Sequence, residues 1–295
     1  MSRAKPPGRL VDLSLVAVAM IWGATFVLVK RALADVSTLL FLALRFAAAT
    51  AALLFVFRKH LRSPNLAYSL RGGVFAGTCL FAGYVLQTFG LKYTSASKTG
   101  FITGLYIPLV PLFSSIFYRR VPQIAELAGV AMAFVGLALM MVERDLLSLS
   151  LGDILVAGCA VAYAFHMLVL GRYAKAADTG VLAVTQIATA GLLSAATFWW
   201  AEPIRIQWSL DVWIALAVTS LLATALAFAV QTWAQRWSSP TRTAVIFSME
   251  PVFAWATSYA VAGELLSRRA TVGAGLILAG ILMVELRPAR LREAQ

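Results

Sequence analysis

A chain of 295 residues that is 61% hydrophobic and only 13% charged, with a mean hydropathy of +0.83, excludes a water-soluble globular fold, since soluble domains carry about 25% charged residues. The formal net charge of +12 does not point to nucleic acid, because the basic residues gather at the ends of apolar runs, where an anionic membrane surface is the expected partner. Cys79 and Cys159 lie inside apolar runs with no metal or redox spacing, which excludes a disulfide framework and makes both small core residues.

The apolar runs are roughly 20 residues long, the length a helix needs to cross about 30 Å of hydrocarbon. Segments of about 10 alternating residues, the mark of a membrane barrel, are absent. The fold class is therefore all-α and integral to the membrane. In chain order the pattern predicts ten transmembrane helices at 11–29, 37–57, 68–90, 97–117, 122–142, 151–170, 179–199, 210–232, 241–262 and 270–286. Arg3, Lys5 and Arg9 precede the first run as in a signal peptide, but the run leads directly into a second span, so it reads as a retained first helix. The second run holds Arg45 in its interior. The third and fourth are joined by the short polar turn LKYTSASKTG, a hairpin connection. MVERDLLSLSLGD separates the fifth from the sixth and is short enough to be a hinge between halves. With the N-terminus inside, the inner side receives about twice as many Lys and Arg as the outer, so both termini are expected in the cytoplasm.

Residues 84–119 and 228–263 repeat one pattern. At an offset of 144, Gln87, Thr88, Ser95, Thr99 and Ile102 meet Gln231, Thr232, Ser239, Thr243 and Ile246, and the cation Lys98 meets Arg242. Gly129 and Gly136 fall on Gly273 and Gly280 in the same register. Earlier in each half, Asp12 meets Asp153 and Trp22 meets Tyr163 at an offset of 141. Five spans per copy turn the second copy upside down, so the halves read as inverted repeats, a transporter plan with a central site.

Polar residues inside spans are costly and mark candidate sites. Arg45 is placed to meet a substrate carboxylate, with a backbone carbonyl partner or snorkelling to the outer face as the alternatives. Glu250 precedes Pro251, which bends or breaks the ninth span where a cavity needs polar lining. A protonatable carboxylate there offers proton coupling, as does His166; an interface role is the alternative for each. Gln87 and Gln231 sit at matching depths, as cavity amides or as interhelical hydrogen-bonding groups. Trp22, Tyr84, Tyr106 and Tyr163 are the aromatic cavity candidates, favouring a partly apolar solute, against packing or a belt role. Lys98 and Arg242 read as interfacial anchors. The paired glycines of the fifth and tenth spans permit close contact, within or between chains. Pro108 and Pro111 distort the fourth span as Pro251 distorts the ninth. His60, the other histidine, lies in a loop, so no metal constellation exists. No P-loop of the form GxxxxGK[ST] occurs, no clustered nucleophile and base appears, and neither enzyme activity nor a cofactor is expected.

WGATFVLVK, LALRFAAAT, LKYTSASKTGFITGLYIPLVPLFSSIF and SSPTRTAVIFSMEPVFAWATSYAVAGELLSRRATVGAGLILAGILMV together resemble the EamA-type transporters of the drug/metabolite transporter superfamily, over essentially the whole chain. The resemblance implies two EamA-like five-helix repeats, 9–142 and, inverted, 151–287, and a multi-pass protein of the bacterial inner membrane with cytoplasmic termini. It implies export of small metabolites, amino acids among them, by alternating access. It also directs attention to Glu250–Pro251, Gly263–Glu264 and the Gly273/Gly280 pair. The first half departs from the family pattern at Tyr118–Arg119–Arg120, where an acid is common. A non-transporting membrane sensor or assembly protein of the same fold is the alternative. The expected partners are a small-molecule substrate, protons as a candidate coupling ion, and the lipid bilayer, for a monomer or weak homodimer.

Overall fold

The computed structural model describes residues 8–117, 124–141, 150–238 and 240–285. The Tyr118–Arg120 departure, most of the linker between the halves and the cations at both chain ends lie outside these residues. Among the described residues thirteen α-helices follow in order: α1 (Gly8–Ala32), α2 (Thr38–Phe57), α3 (Leu66–Tyr93), α4 (Ala96–Thr103), α5 (Tyr106–Phe117), α6 (Ile124–Met141), α7 (Leu151–Tyr173), α8 (Thr179–Ala201), α9 (Leu210–Ser220), α10 (Ala227–Trp237), α11 (Pro240–Phe247), α12 (Glu250–Ala262) and α13 (Arg268–Glu285). Among the described residues seven helical segments are long and apolar enough to cross a membrane, with a shorter apolar helix at Leu127–Gly136. The predicted fourth span is α4 with α5, the eighth is α9 with α10, and the ninth is α11 with α12.

Helices are the only way this backbone can satisfy itself in hydrocarbon, and their ends are capped by side chains. Ser95 starts α4 by accepting from the Lys98 amide, Asp178 starts α8 by accepting from Gly180 and Val181, and Ser209 starts α9 by accepting from Val212. Gly263 ends α12 at φ +63°, a left-handed cap that returns the Glu264 amide to the Ser258 carbonyl.

Both interrupted spans break at equivalent places. The fourth breaks at 104–105 and the ninth at 248–249, an offset of 144, so α4 matches α11 and the first residues of α5 and α12 are Tyr106 and Glu250. Pro111 lies inside α5 and Pro251 in the first turn of α12. The first break therefore precedes Pro108 and Pro111, and it is Gly104 and Leu105 that carry it. The eighth span is interrupted differently, by a π-helical turn at Leu221–Leu226 in which the Ala227 amide reaches back to the Leu222 carbonyl. Its counterpart region in α3 is continuous helix.

Lipid supplies no hydrophobic force between helices, so they associate through small residues that permit close backbone approach. Gly77 of α3 meets the Gln186 carbonyl of α8, and Gly83 meets the Tyr163 ring of α7. On α6 and α13 the contact is reciprocal. A Cβ on Gly136 would lie 2.5 Å from the Gly273 carbonyl oxygen, and one on Gly280 would lie 2.5 Å from that of Gly129. These glycines are spent on a contact within one chain.

Candidate functional site

A cavity lies where α1, α2, α3, α7, α10 and the broken fourth and ninth spans converge. Its lining includes Trp22, Arg45, Tyr84, Gln87, Tyr106, Tyr163, His166, Gln231 and Glu250, so the structure brings all nine sequence-selected residues together. The free volume of ≈ 60 Å³ is room for about four to six waters at roughly 10–15 Å³ each.

Arg45 is 4% exposed and neither snorkels nor bonds a backbone carbonyl. Its Nε donates to Thr224 Oγ1 at 2.7 Å and one terminal nitrogen to the Tyr84 hydroxyl at 3.0 Å, with the guanidinium 4.6 Å from the Tyr84 ring centroid. These partners are neutral. The π-turn presents Thr224 to Arg45, and the neighbouring Ala223 carbonyl accepts the Trp22 indole N–H at 2.8 Å. One local irregularity thereby fixes a cation and an aromatic wall, a common use of π-turns at functional sites. Sequence periodicity gives no sign of such a turn.

Glu250 opens α12 directly after the break and is 6% exposed. Tyr106, opening α5, lies beside it, within interaction range but outside hydrogen-bonding geometry. Cation and acid thus stand on different elements of one cavity, and among the described residues no ion pair joins them.

The two amides differ in partners. Gln87 donates to Thr103 Oγ1 at 3.1 Å and accepts from the Tyr163 hydroxyl at 3.3 Å. Gln231 donates to the Met167 sulfur at 3.0 Å, a weak acceptor, while its carbonyl oxygen is buried without a hydrogen-bond partner. His166 is tied to α8: its Nε2 sits 2.9 Å from the Gln186 carbonyl oxygen, whose amide nitrogen donates to Thr232. A carbonyl can only accept, so Nε2 carries the proton. Met167 and Phe247 also line the cavity, and Gln186 supports it from behind; all three escaped sequence selection because they look like ordinary span residues.

Three expectations need correction or narrowing. Lys98 is no interfacial anchor: it is 7% exposed, and its ammonium lies 3.6 Å from Asp153. Arg242 is exposed but pairs with Asp12 through two bonds of 3.2 and 2.7 Å. Glu264 closes the end of α12 by accepting from the Ser258 hydroxyl, and takes the Ser97 amide at 3.4 Å. Among the described residues no group of three or more His, Cys, Asp or Glu could hold a metal ion.

Comparison with known proteins fits this architecture. The chain is 34% identical over 279 residues to an uncharacterized transporter of Archaeoglobus fulgidus (strain ATCC 49558 / DSM 4304 / JCM 9628 / NBRC 100126 / VC-16), covering 94% of this chain and 86% of the relative. It is 24% identical over 288 residues to the uncharacterized transporter YyaM of Bacillus subtilis (strain 168), covering 92% of each. A protein of known crystal structure superposes with a TM-score of 0.70 at 21% identity, covering 96% of this chain and 99% of that one, which shows a shared fold. Residues 9–142 and 150–286 each match the EamA-like transporter family. The chain belongs to the EamA-like transporter family and is a multi-pass membrane transporter.

Proposed function

We propose that the protein is a secondary transporter that exports small amino acids with apolar side chains across the bacterial inner membrane. The observation that carries this reading is the cavity itself, with Arg45 and Glu250 on different walls and aromatic rings between them. A zwitterion suits that arrangement: its carboxylate takes the free donors of Arg45, and its ammonium takes Glu250 and the unpaired carbonyl of Gln231. Trp22, Phe228 and Phe247 pack edge-on and tilted against one another and give the side chain an apolar seat. Protons are the coupling ion, with Glu250 releasing the ammonium when it takes up a proton.

Ten spans in two inverted five-helix repeats, 9–142 and 151–287, are the frame for alternating access. The helix breaks at an offset of 144 and the reciprocal glycine contacts of α6 and α13 support it. The excess of cations on the side of the termini supports cytoplasmic ends.

Cells expressing the protein and loaded with dipeptides test the export reading. The expected result is faster appearance of apolar amino acids outside, collapsed by a proton uncoupler, and an uncoupler-insensitive residual flux for Glu250→Gln. Equal efflux from expressing and empty-vector cells across the amino-acid panel contradicts it.

A further inference from the structure

Two ion pairs occupy equivalent places at the two ends of the molecule. Lys98 of α4 faces Asp153 of α7, and Arg242 of α11 faces Asp12 of α1. Lys98 corresponds to Arg242 at an offset of 144, and Asp153 to Asp12 at an offset of 141. Each pair joins a residue of one half of the chain to a residue of the other. Each also ties the short outer helix of a broken span to the first helix of the opposite half, so neither end can part without separating the charges.

The pairs are equivalent in sequence but not in environment. The side chains of Lys98 and Asp153 are 9% and 0% exposed, and Asp153 also takes the Thr94 hydroxyl at 2.5 Å. Those of Arg242 and Asp12 are 55% and 33% exposed. The charges at one end are buried, whereas those at the end where α1 begins are exposed.

We propose that Lys98–Asp153 and Arg242–Asp12 are the two latches of alternating access, one at each end, and that the tighter burial of Lys98–Asp153 holds the resting protein open towards the side of the N-terminus. The inference rests on the transport reading above and adds which contacts set its resting state. Removing one partner of a buried pair leaves an uncompensated charge away from water, whereas an exposed pair exchanges its partner for water at little cost. The two latches therefore have unequal grip, which makes one state the ground state of an otherwise symmetric machine.

The test uses the full chain in sealed vesicles, with Cys79→Ala, Cys159→Ala and a single reporter, Thr25→Cys, on the cavity wall. A membrane-impermeant maleimide is applied from either face. Asp153→Asn is expected to raise labelling from the face opposite the termini by about tenfold, and Asp12→Asn to change it by no more than about threefold, as buried and exposed pairs differ. Exchanging the buried partners, as Lys98→Asp with Asp153→Lys, is expected to restore the wild-type ratio. Lys98→Gln, which breaks the same pair from its other side, supplies the readout where Asp153→Asn does not accumulate and is expected to raise labelling likewise. Labelling unchanged by loss of either pair, in a protein whose reporter reacts from both faces, overturns the latches and leaves the transport reading standing. A reporter that reacts from neither face in any of these proteins contradicts the transport reading and the latches together.

Discussion

Arg45 is the residue on which the site turns. A guanidinium buried in the middle of a membrane protein is expensive unless its donors are used, and here Thr224 and Tyr84 take two while the rest face the cavity. A planar fork is suited to a carboxylate in a way that a point ammonium is not. Arg45→Lys should therefore keep the charge and the fold yet raise the KM for substrate by about tenfold or more, the worth of one lost charge-assisted bond. Transport kinetics beside a thermal melt in detergent would show this, and an unchanged KM would remove Arg45 from recognition. The position of Arg45 inside an apolar run was legible in the sequence. Its partner Thr224 was not, because a π-turn shifts the helix face by a rotation that 3.6-residue periodicity does not report. Lys98 was misread for a related reason: a cation at a span end usually reaches water, and only the fold shows Asp153 beside it.

At the scale of elements, the α6–α13 contact is built on backbone against backbone. Replacing Gly280 by Leu forces side-chain atoms into the Gly129 carbonyl and the Ala133 backbone, and should cost about 1–3 kcal/mol or more as overpacking does. Thermal unfolding of Gly280→Leu beside Gly275→Leu, a position with open space, would separate packing from helix propensity. Another element carries a pH signature. Asp178, the cap of α8, lies outside the spans and its carboxyl is held below the usual range. Partial burial pushes the other way, but the His60 ring and the amides of Val181 and Gly180 outweigh it. A depressed carboxylate stabilises the fold above its unfolded pKa and loses that contribution as the pH falls through the folded value. The melting difference between wild type and Asp178→Asn should shrink as the pH falls below about 4. A difference that persists undiminished well below pH 4 would contradict the cap. The periodic helices were readable as apolar runs, and the broken fourth and ninth spans from their prolines. The first break is at Gly104, before the prolines, because a glycine at that point meets Pro251 and lets the two broken spans approach.

The whole molecule joins these features. Two copies of one pattern, 144 residues apart, place their helix breaks and their glycine contacts in corresponding positions. They place different residues at the corresponding cavity positions, Tyr106 in one half and Glu250 in the other. The repeat was visible in the sequence because Gly, Gln, Thr and Ser recur at fixed spacing in the two halves. The cavity face was not, since near-continuous apolar spans have no strong polar stripe, and only unusual polar residues could be selected. A frame with matched breaks and ends, around an asymmetric site, is suited to moving an oriented solute. Counterflow tests that most directly: purified protein in liposomes preloaded with an unlabelled apolar amino acid, with the labelled compound outside. The expected result is transient accumulation of label above equilibrium, absent from Arg45→Ala liposomes of equal protein content. Accumulation no greater than in protein-free liposomes, for every member of an amino-acid panel, would contradict it.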